Sequence, residues 1–231
     1  MKKVCLLLLC AALVWSMTSC GGSTPQPEPP TPAAPADPAE TPEELPPEQA
    51  PTALVVYFSR VGNTDFPADV DAVTGASLNL ADGELKGNAQ LMAEWMADEA
   101  GADLAEIRTE YTYPADYTAA TEAARQEQNN LARPVLRGPQ VNLSRYDTVY
   151  LVVPVWWGDL PMAVYSFFDA WDCAGKTIYV SVTHEGSGFS RTVNAVRALE
   201  PEAEVREGLA LPGGSVAASE SVARQFVRDN R

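Results

Sequence analysis

"VVYFSRVGNT", residues 55–64, runs from β-branched and aromatic residues straight into Ser59, Gly62, Asn63 and Thr64. The first half lacks the apolar/polar alternation of a half-solvated strand and reads as a strand buried on both faces. The second half carries small hydroxyl and amide groups that can donate hydrogen bonds, with a glycine that lets backbone N–H groups approach an anion closely. A strand that ends this way is a candidate phosphate cradle. An ordinary strand-to-turn exit is the competing reading.

Outward from this stretch the same pattern repeats. Apolar runs at Ala53 to Phe58, Leu104 to Ile107, Thr148 to Val153, Thr177 to Val182 and Val205 to Leu211 alternate with helical segments. Asn88 to Ala100 puts Leu91, Met92, Trp95 and Met96 on one face, with Asn88 expected as N-cap and Gly101 as stop. Thr118 to Asn130, Met162 to Trp171, Ser190 to Leu199 and Glu220 to Arg228 complete the set. Five strands alternating with five helices predict an α/β, doubly wound, three-layer fold on a parallel sheet.

The ends of the chain differ from this domain. Residues 1–19 read as an export signal: Lys2 and Lys3, an apolar run from Val4 to Trp15, then Met17-Thr18-Ser19 before Cys20. Those small residues resemble the lipobox of bacterial lipoproteins, which implies a lipid on Cys20 and anchorage to the outer face of the cytoplasmic membrane or to a periplasmic face. A plain signal peptide cut elsewhere is the alternative. Residues 20–51 hold eleven of the 19 prolines, all of them after Cys20, with six acidic residues and neither basic nor aromatic ones. Such a segment cannot bury a core and is expected to be an extended tether, at about 3.1 Å per residue.

Sixteen Lys and Arg against 31 Asp and Glu give a net charge of −15, which argues against nucleic acid as a partner. Of four cysteines, Cys5 and Cys10 would leave with the signal and Cys20 would take lipid. Cys173 then has no partner for a disulfide within the chain. Residues 52–231 are long enough for one domain held by its own core.

In doubly wound sheets ligands bind at the carboxyl ends of the strands. Three turns should meet there: the one after Phe58, "PVWWGDLPMA" from Pro154 to Ala163, and "THEGSGFS" from Thr183 to Ser190. The paired tryptophans offer a face on which a flat heteroaromatic could stack, though adjacent tryptophans are as often packing residues. The glycine-spaced third loop could supply backbone donors and acceptors to a ring edge.

Together "YFSRVGNT", "YPADYTAATEAARQEQNNLARP", "PVWWGDLPMAV" and "THEGSGFSRTVNAV" resemble the flavodoxin-like proteins over nearly all of residues 53–211. The resemblance implies a five-stranded sheet in the order 2-1-3-4-5 and a bound FMN. It implies a phosphate loop over Ser59, Arg60, Val61, Gly62, Asn63 and Thr64. Pro154, Val155, Trp156, Trp157 and Gly158 would flank the isoalloxazine, and His184, Glu185, Gly186, Ser187 and Gly188 would lie at its far edge. His184 is read as a contact, not as a catalyst. An FMN phosphate can be held by neutral donors, which accounts for a loop of small polar residues.

Residues 65–87 interrupt the family pattern between Thr64 and the first helix. Either a short helical turn runs from Asp65 to Val73, or Gly87-Asn88 brings a displaced helix N-terminus back to the phosphate; the cap and the amphipathic run favour the second, making Asn88 a cofactor-binding candidate. Inside the insertion, "DAVTGAS", Asp71 to Ser77, looks like the target of flavin transferases, which would make Ser77 the acceptor of a covalent FMN phosphoester. A small-residue turn needs no such purpose.

No paired carboxylates, nucleophile with base or metal-ligand spacing is apparent, so chemistry carried by a cofactor is expected. Two classes of function follow: an electron carrier or flavin-dependent oxidoreductase working with a redox partner protein or small-molecule acceptor, or an extracellular binding module on a lipid tether that has lost FMN.

Overall fold

The computed structural model describes residues 52–70, 77–81, 83–138 and 141–231, all within the unit Glu48–Arg231. The expected signal, Cys20, the tether and residues 71–76 of the Asp71–Ser77 pattern lie outside the described residues. In chain order the elements are β1 (Ala53–Phe58), β2 (Leu78–Ala81), β3 (Glu84–Gly87), α1 (Asn88–Ala100), β4 (Asp103–Thr109), α2 (Tyr117–Asn129) and β5 (Leu136–Arg137). They continue with β6 (Thr148–Pro154), α3 (Met162–Ala170), β7 (Thr177–His184), α4 (Thr192–Leu199), β8 (Glu204–Pro212) and α5 (Glu220–Asp229).

Five parallel strands stand in the order β4-β1-β6-β7-β8, which is the expected 2-1-3-4-5 arrangement counted over parallel strands. The main sheet has six strands rather than five, because β5 adds to its edge antiparallel to β4, with Arg108 opposite Arg137 and Thr109 opposite Leu136. A pairing of two residues leaves no periodicity to read in a sequence.

The continuous apolar character of β1 is explained by helices on both sides of it. Leu54, Val56 and Phe58 enter a core shared with Val164 and Phe167 of α3 and Val196 of α4. Val55 and Tyr57 enter a second core with Met92 and Met96 of α1 and Val227 of α5. Each aliphatic side chain buried this way contributes on the order of 2 kcal/mol. The result is the expected three-layer sandwich with both faces of the sheet covered.

Within the insertion, residues 64–70 form no helix. Strands β2 and β3 instead form an antiparallel hairpin with Leu78 opposite Gly87, which returns the chain to the end of β1 where α1 starts. The N-cap of α1 is Gly87 rather than the expected Asn88, with Gln90 Oε1 accepting from the Gly87 amide at 3.3 Å. A side chain has no room at this cap: a Cβ built on Gly87 would lie 1.9 Å from Ser59 Oγ. Gly101 ends the helix at φ 61°, as expected.

Candidate functional site

The loop from Ser59 to Thr64 makes one 3₁₀ turn over Val61–Asn63 and is fastened from inside. Asn63, 2% exposed, donates through Nδ2 to Ser59 O at 2.8 Å and Ile107 O at 3.0 Å. Its Oδ1 accepts from the Thr109 amide at 2.7 Å and the Thr109 hydroxyl at 3.1 Å. The amide group is thus saturated by the first residue of the loop and by β4, and it shapes the loop. Gly62 lies against the Glu106 carboxylate, where a Cβ would come within 1.5 Å of Oε1. The Thr64 hydroxyl is buried with no hydrogen-bond partner.

Arg60, 3% exposed, crosses to the segment before α2, where Nη2 donates to Pro114 O at 3.2 Å and Ala115 O at 3.1 Å. Its guanidinium lies 5.1 Å from the Phe66 ring centroid, and its buried Nε has no partner. Burial holds the guanidinium pKa below its ordinary value.

After β6 the chain turns tightly at Trp156–Asp159, whose backbone amides and carbonyls pair at 2.9 and 3.0 Å. Both central residues, Trp157 (φ 52°) and Gly158 (φ 74°), have positive φ, the mark of a type I′ turn. That conformation is costly for a bulky side chain, and such costs gather at functional sites. Trp157 is 48% exposed; its Nε1 donates to Thr121 O of α2 at 2.8 Å, and the Arg125 guanidinium lies 4.7 Å from its ring centroid. The two indoles differ. Trp156 packs edge-on against Phe58 and Tyr113, both at 5.2 Å between centroids, and is partly buried against the core.

After β7, His184 Nδ1 accepts from the Gly186 amide at 2.9 Å, so a neutral imidazole carries its proton on Nε2. Glu185 reaches the chain beyond β8, where a Cβ on Gly213 would meet its Oε1 and the Asn88 Nδ2. Ser77, with φ 76°, accepts from the Asn88 amide at 2.9 Å, so the hairpin places it beside the start of α1.

These elements wall a cavity of about 390 Å³ at the carboxyl ends of β1, β6 and β7. Of the residues expected from sequence, Arg60, Ser77, Asn88, Pro154, Val155, Trp156, Trp157, Gly158, His184, Glu185 and Ser187 line it. Ser59, Val61, Gly62, Asn63, Thr64, Gly186 and Gly188 do not; they form the turns behind its wall. Sequence reasoning missed one wall altogether. Tyr117, Ala120, Thr121 and Ala124, spaced i, i+3, i+4, i+7 along one face of α2, line the cavity opposite no predicted partner. Their spacing was the available signal, inside a segment expected to be a helix over Thr118 to Asn130 and observed as one over Tyr117–Asn129.

Among the described residues no three His, Cys, Asp or Glu side chains gather to hold a metal. Burial, then Glu200, pushes the Cys173 thiol up to about 12, which makes it a poor nucleophile.

A doubly wound α/β protein with a ligand-sized cavity across the carboxyl ends of its central strands is the class that fold and site define. The family model described as Flavodoxin matches residues 78–227, more than half of the chain, and the chain belongs to the flavodoxin family. Among solved structures, it is similar to a candidate flavoprotein from Bacteroides uniformis ATCC 8492, at 23% identity over 78% of this chain and 99% of that one, with a TM-score of 0.58. A second candidate flavoprotein, from Bacteroides eggerthii DSM 20697, aligns at 22% identity over 74% and 97% of the two chains with a TM-score of 0.53. A flavoprotein from Lactobacillus acidophilus NCFM, solved in complex with FMN, aligns at 19% identity over 74% and 99% with a TM-score of 0.50. At these identities the likeness establishes the fold. No curated protein matches the chain.

Proposed function

We propose that this chain is an FMN-binding electron carrier or flavin-dependent oxidoreductase, exported and held at a membrane through a lipid on Cys20, that exchanges electrons with a partner protein or a small-molecule acceptor. The observation that carries the reading is a cavity walled by the turns after β1, β6 and β7, with two buried polar atoms of the first turn, Arg60 Nε on its wall and Thr64 Oγ1 behind it, left without partners among the described residues. Buried polar groups in native structures are nearly always satisfied, so orphans beside a cavity point to a polar ligand. Family membership and the FMN complex of the Lactobacillus acidophilus relative add to it.

The cavity suits FMN in size and in chemistry. Its volume falls within the usual range for cofactor sites, about 300 to 1,000 Å³. Apolar and aromatic surface from Trp157, Val155 and Ala124 matches a flat ring, and the amino end of α1 at Gly87-Asn88 favours an anion. When bound, FMN supplies one- and two-electron transfer. The chain's own residues then bind and orient it: Trp157 offers an indole face, α2 shields the ring from water, and the backbone of the His184–Gly188 loop offers donors and acceptors to the ring edge. His184 Nδ1 is taken by the Gly186 amide, which leaves Nε2 as the ring nitrogen for the ligand.

Export and lipidation rest on the signal-like N-terminus and on Cys20 alone. Covalent retention through Ser77 is a further part of the proposal. Its support is the "DAVTGAS" pattern and the position of Ser77 on the cavity wall, hydrogen-bonded to the first residue of α1.

The test is an absorbance spectrum of protein isolated from its own host's membranes, native and denatured. Flavin bands in the native protein are expected, and flavin that stays with the denatured chain marks covalent attachment. Ser77→Ala should abolish any flavin fluorescence that survives a denaturing gel; a persisting band moves the attachment elsewhere. Colourless protein that refuses added FMN sinks the redox reading and leaves the tethered binding module.

A further inference from the structure

One cation on the cavity wall is bonded to no anion. Arg60 is buried to 3% exposure, lines the cavity, and spends its hydrogen bonds on two neutral carbonyls, Pro114 O and Ala115 O. Among the described residues it forms no ion pair. Other arginines of the domain do: Arg108 with Glu106, Arg133 with Asp169, Arg191 with Asp159, Arg206 with Glu204 and Arg224 with Asp98. Those five pairs are partly exposed and cheap to solvate, and Arg125, Arg137, Arg145 and Arg197, which have no ion pair among the described residues, are exposed; Arg60 is the buried one.

Asp116, beside the two carbonyls, acts on the guanidinium electrostatically but forms no ion pair with it, and burial outweighs it. Asp116 caps α2, its Oδ1 accepting from the Ala119 amide at 2.7 Å. Glu185, the other charged side chain on the cavity wall, is exposed and belongs to the loop after β7.

A guanidinium taken out of water without a counter-charge is costly, and the cost falls when an anion enters the same low-dielectric space. The surroundings sharpen this. A chain of net charge −15 repels a dianion at long range, so an anionic ligand needs a local cation, and the cavity wall carries one arginine and no lysine.

We infer that Arg60 is a specificity residue: its buried guanidinium, held in no ion pair, makes the cavity select a flavin that ends in a phosphomonoester over the same ring and ribityl chain ending in a neutral hydroxyl. The turn after β1 is then not a wholly neutral cradle, as its small residues suggested. Ser59, Asn63 and Thr64 shape it, and Arg60 supplies the charge.

The inference rests on the FMN reading above, and the experiment separates the two. Flavin-free full-length protein is titrated with FMN and with riboflavin by fluorescence, at low and at high NaCl, for the parent, Arg60→Gln and Arg60→Lys. The parent should prefer FMN at both salt concentrations, because a buried guanidinium is screened far less than an exposed one. Arg60→Gln should weaken FMN by about tenfold or more and change riboflavin by less than about threefold, collapsing the preference. Arg60→Lys, which keeps the charge, should retain part of it. Equal losses for both flavins in Arg60→Gln would make Arg60 a prop of the loop, and an unchanged FMN affinity would leave it no role in selection; either overturns the inference while FMN binding stands. A parent that binds neither flavin overturns the FMN reading as well. Thermal unfolding of each flavin-free variant checks folding. If Arg60→Gln does not fold, the parent and Arg60→Lys decide, since a parent that binds riboflavin as tightly as FMN refutes the selection.

Discussion

The turn after β1 and the turn after β6 border one cavity and are built by opposite means. The first is fastened by buried hydrogen bonds: Asn63 bonds the Ser59 carbonyl within its own turn and, across 44 to 46 residues of chain, the Ile107 carbonyl and the amide and hydroxyl of Thr109. The second is held from outside, with its bulkiest residue at positive φ and its indole pinned to α2 by one hydrogen bond and one guanidinium. Rigidity therefore sits at the turn where an anion is expected, where donors must be aimed before the ligand arrives. Adaptability sits at the indole, where stacking tolerates small displacements.

The sharpest way to break this contrast is to treat the two turns alike. Asn63→Ala should destabilise the protein by about 3 kcal/mol or more, because it strands buried partners in its own turn and on β4, and FMN binding should fall with it. Urea unfolding of the flavin-free protein measures this; a loss under about 1 kcal/mol would show that the turn does not depend on that amide. Trp157→Ala should do the reverse. Stability should hold within about 0.5 kcal/mol, since the side chain is half exposed and a smaller residue strains less at positive φ, while FMN affinity should weaken by about 1 to 3 kcal/mol through lost stacking and burial. Equal affinities in a fluorescence titration would reassign Trp157 to packing.

The same contrast explains what could be read from the chain and what could not. Strand β1 was legible to the residue because both of its faces are buried, and α1 because its apolar stripe ends at a glycine that adopts the left-handed conformation. The meeting of the three turns was legible too, since the strand order dictates it. Partners distant in sequence were not. A small amide in a turn looks the same whether it faces a ligand or, as Asn63 does, the neighbouring strand. Asn88 reads as a good cap, but it is the first residue of the helix, and the cap is Gly87, packed against Ser59 Oγ where a side chain has no room. The α2 wall escaped notice because Ala120, Thr121 and Ala124 carry little hydrophobic signal; their value lies in leaving room.

A smaller effect should appear one shell out from the indole. Arg125→Ala removes the guanidinium over the Trp157 ring, an exposed contact worth about 0.5 to 1 kcal/mol. FMN affinity should fall by less than in Trp157→Ala, because the Nε1 bond to Thr121 O still holds the ring. A loss as large as that of Trp157→Ala would mean that Arg125 meets the ligand itself.

The smallest effect should be one of pH, and it probes the packing behind that turn. Tyr113, edge-on to Trp156, donates its hydroxyl to Glu127 Oε1 and Oε2 at 3.0 and 2.9 Å. Burial raises the Glu127 carboxyl above its ordinary pKa of 4.5, and the tyrosine bond opposes this only in part. A carboxyl whose folded pKa is raised binds more protons folded than unfolded between the two values, so its contribution to stability falls as pH rises from about 4.5 through the folded value and is flat above it. Glu127→Gln keeps an acceptor for Tyr113 and removes the titration. In urea unfolding, stability of the variant relative to the parent should therefore increase from pH 4 to pH 7. A relative stability that decreases over that range would mean the bond from Tyr113 outweighs burial, which would make the support behind Trp156 as firmly fastened as the turn at Asn63.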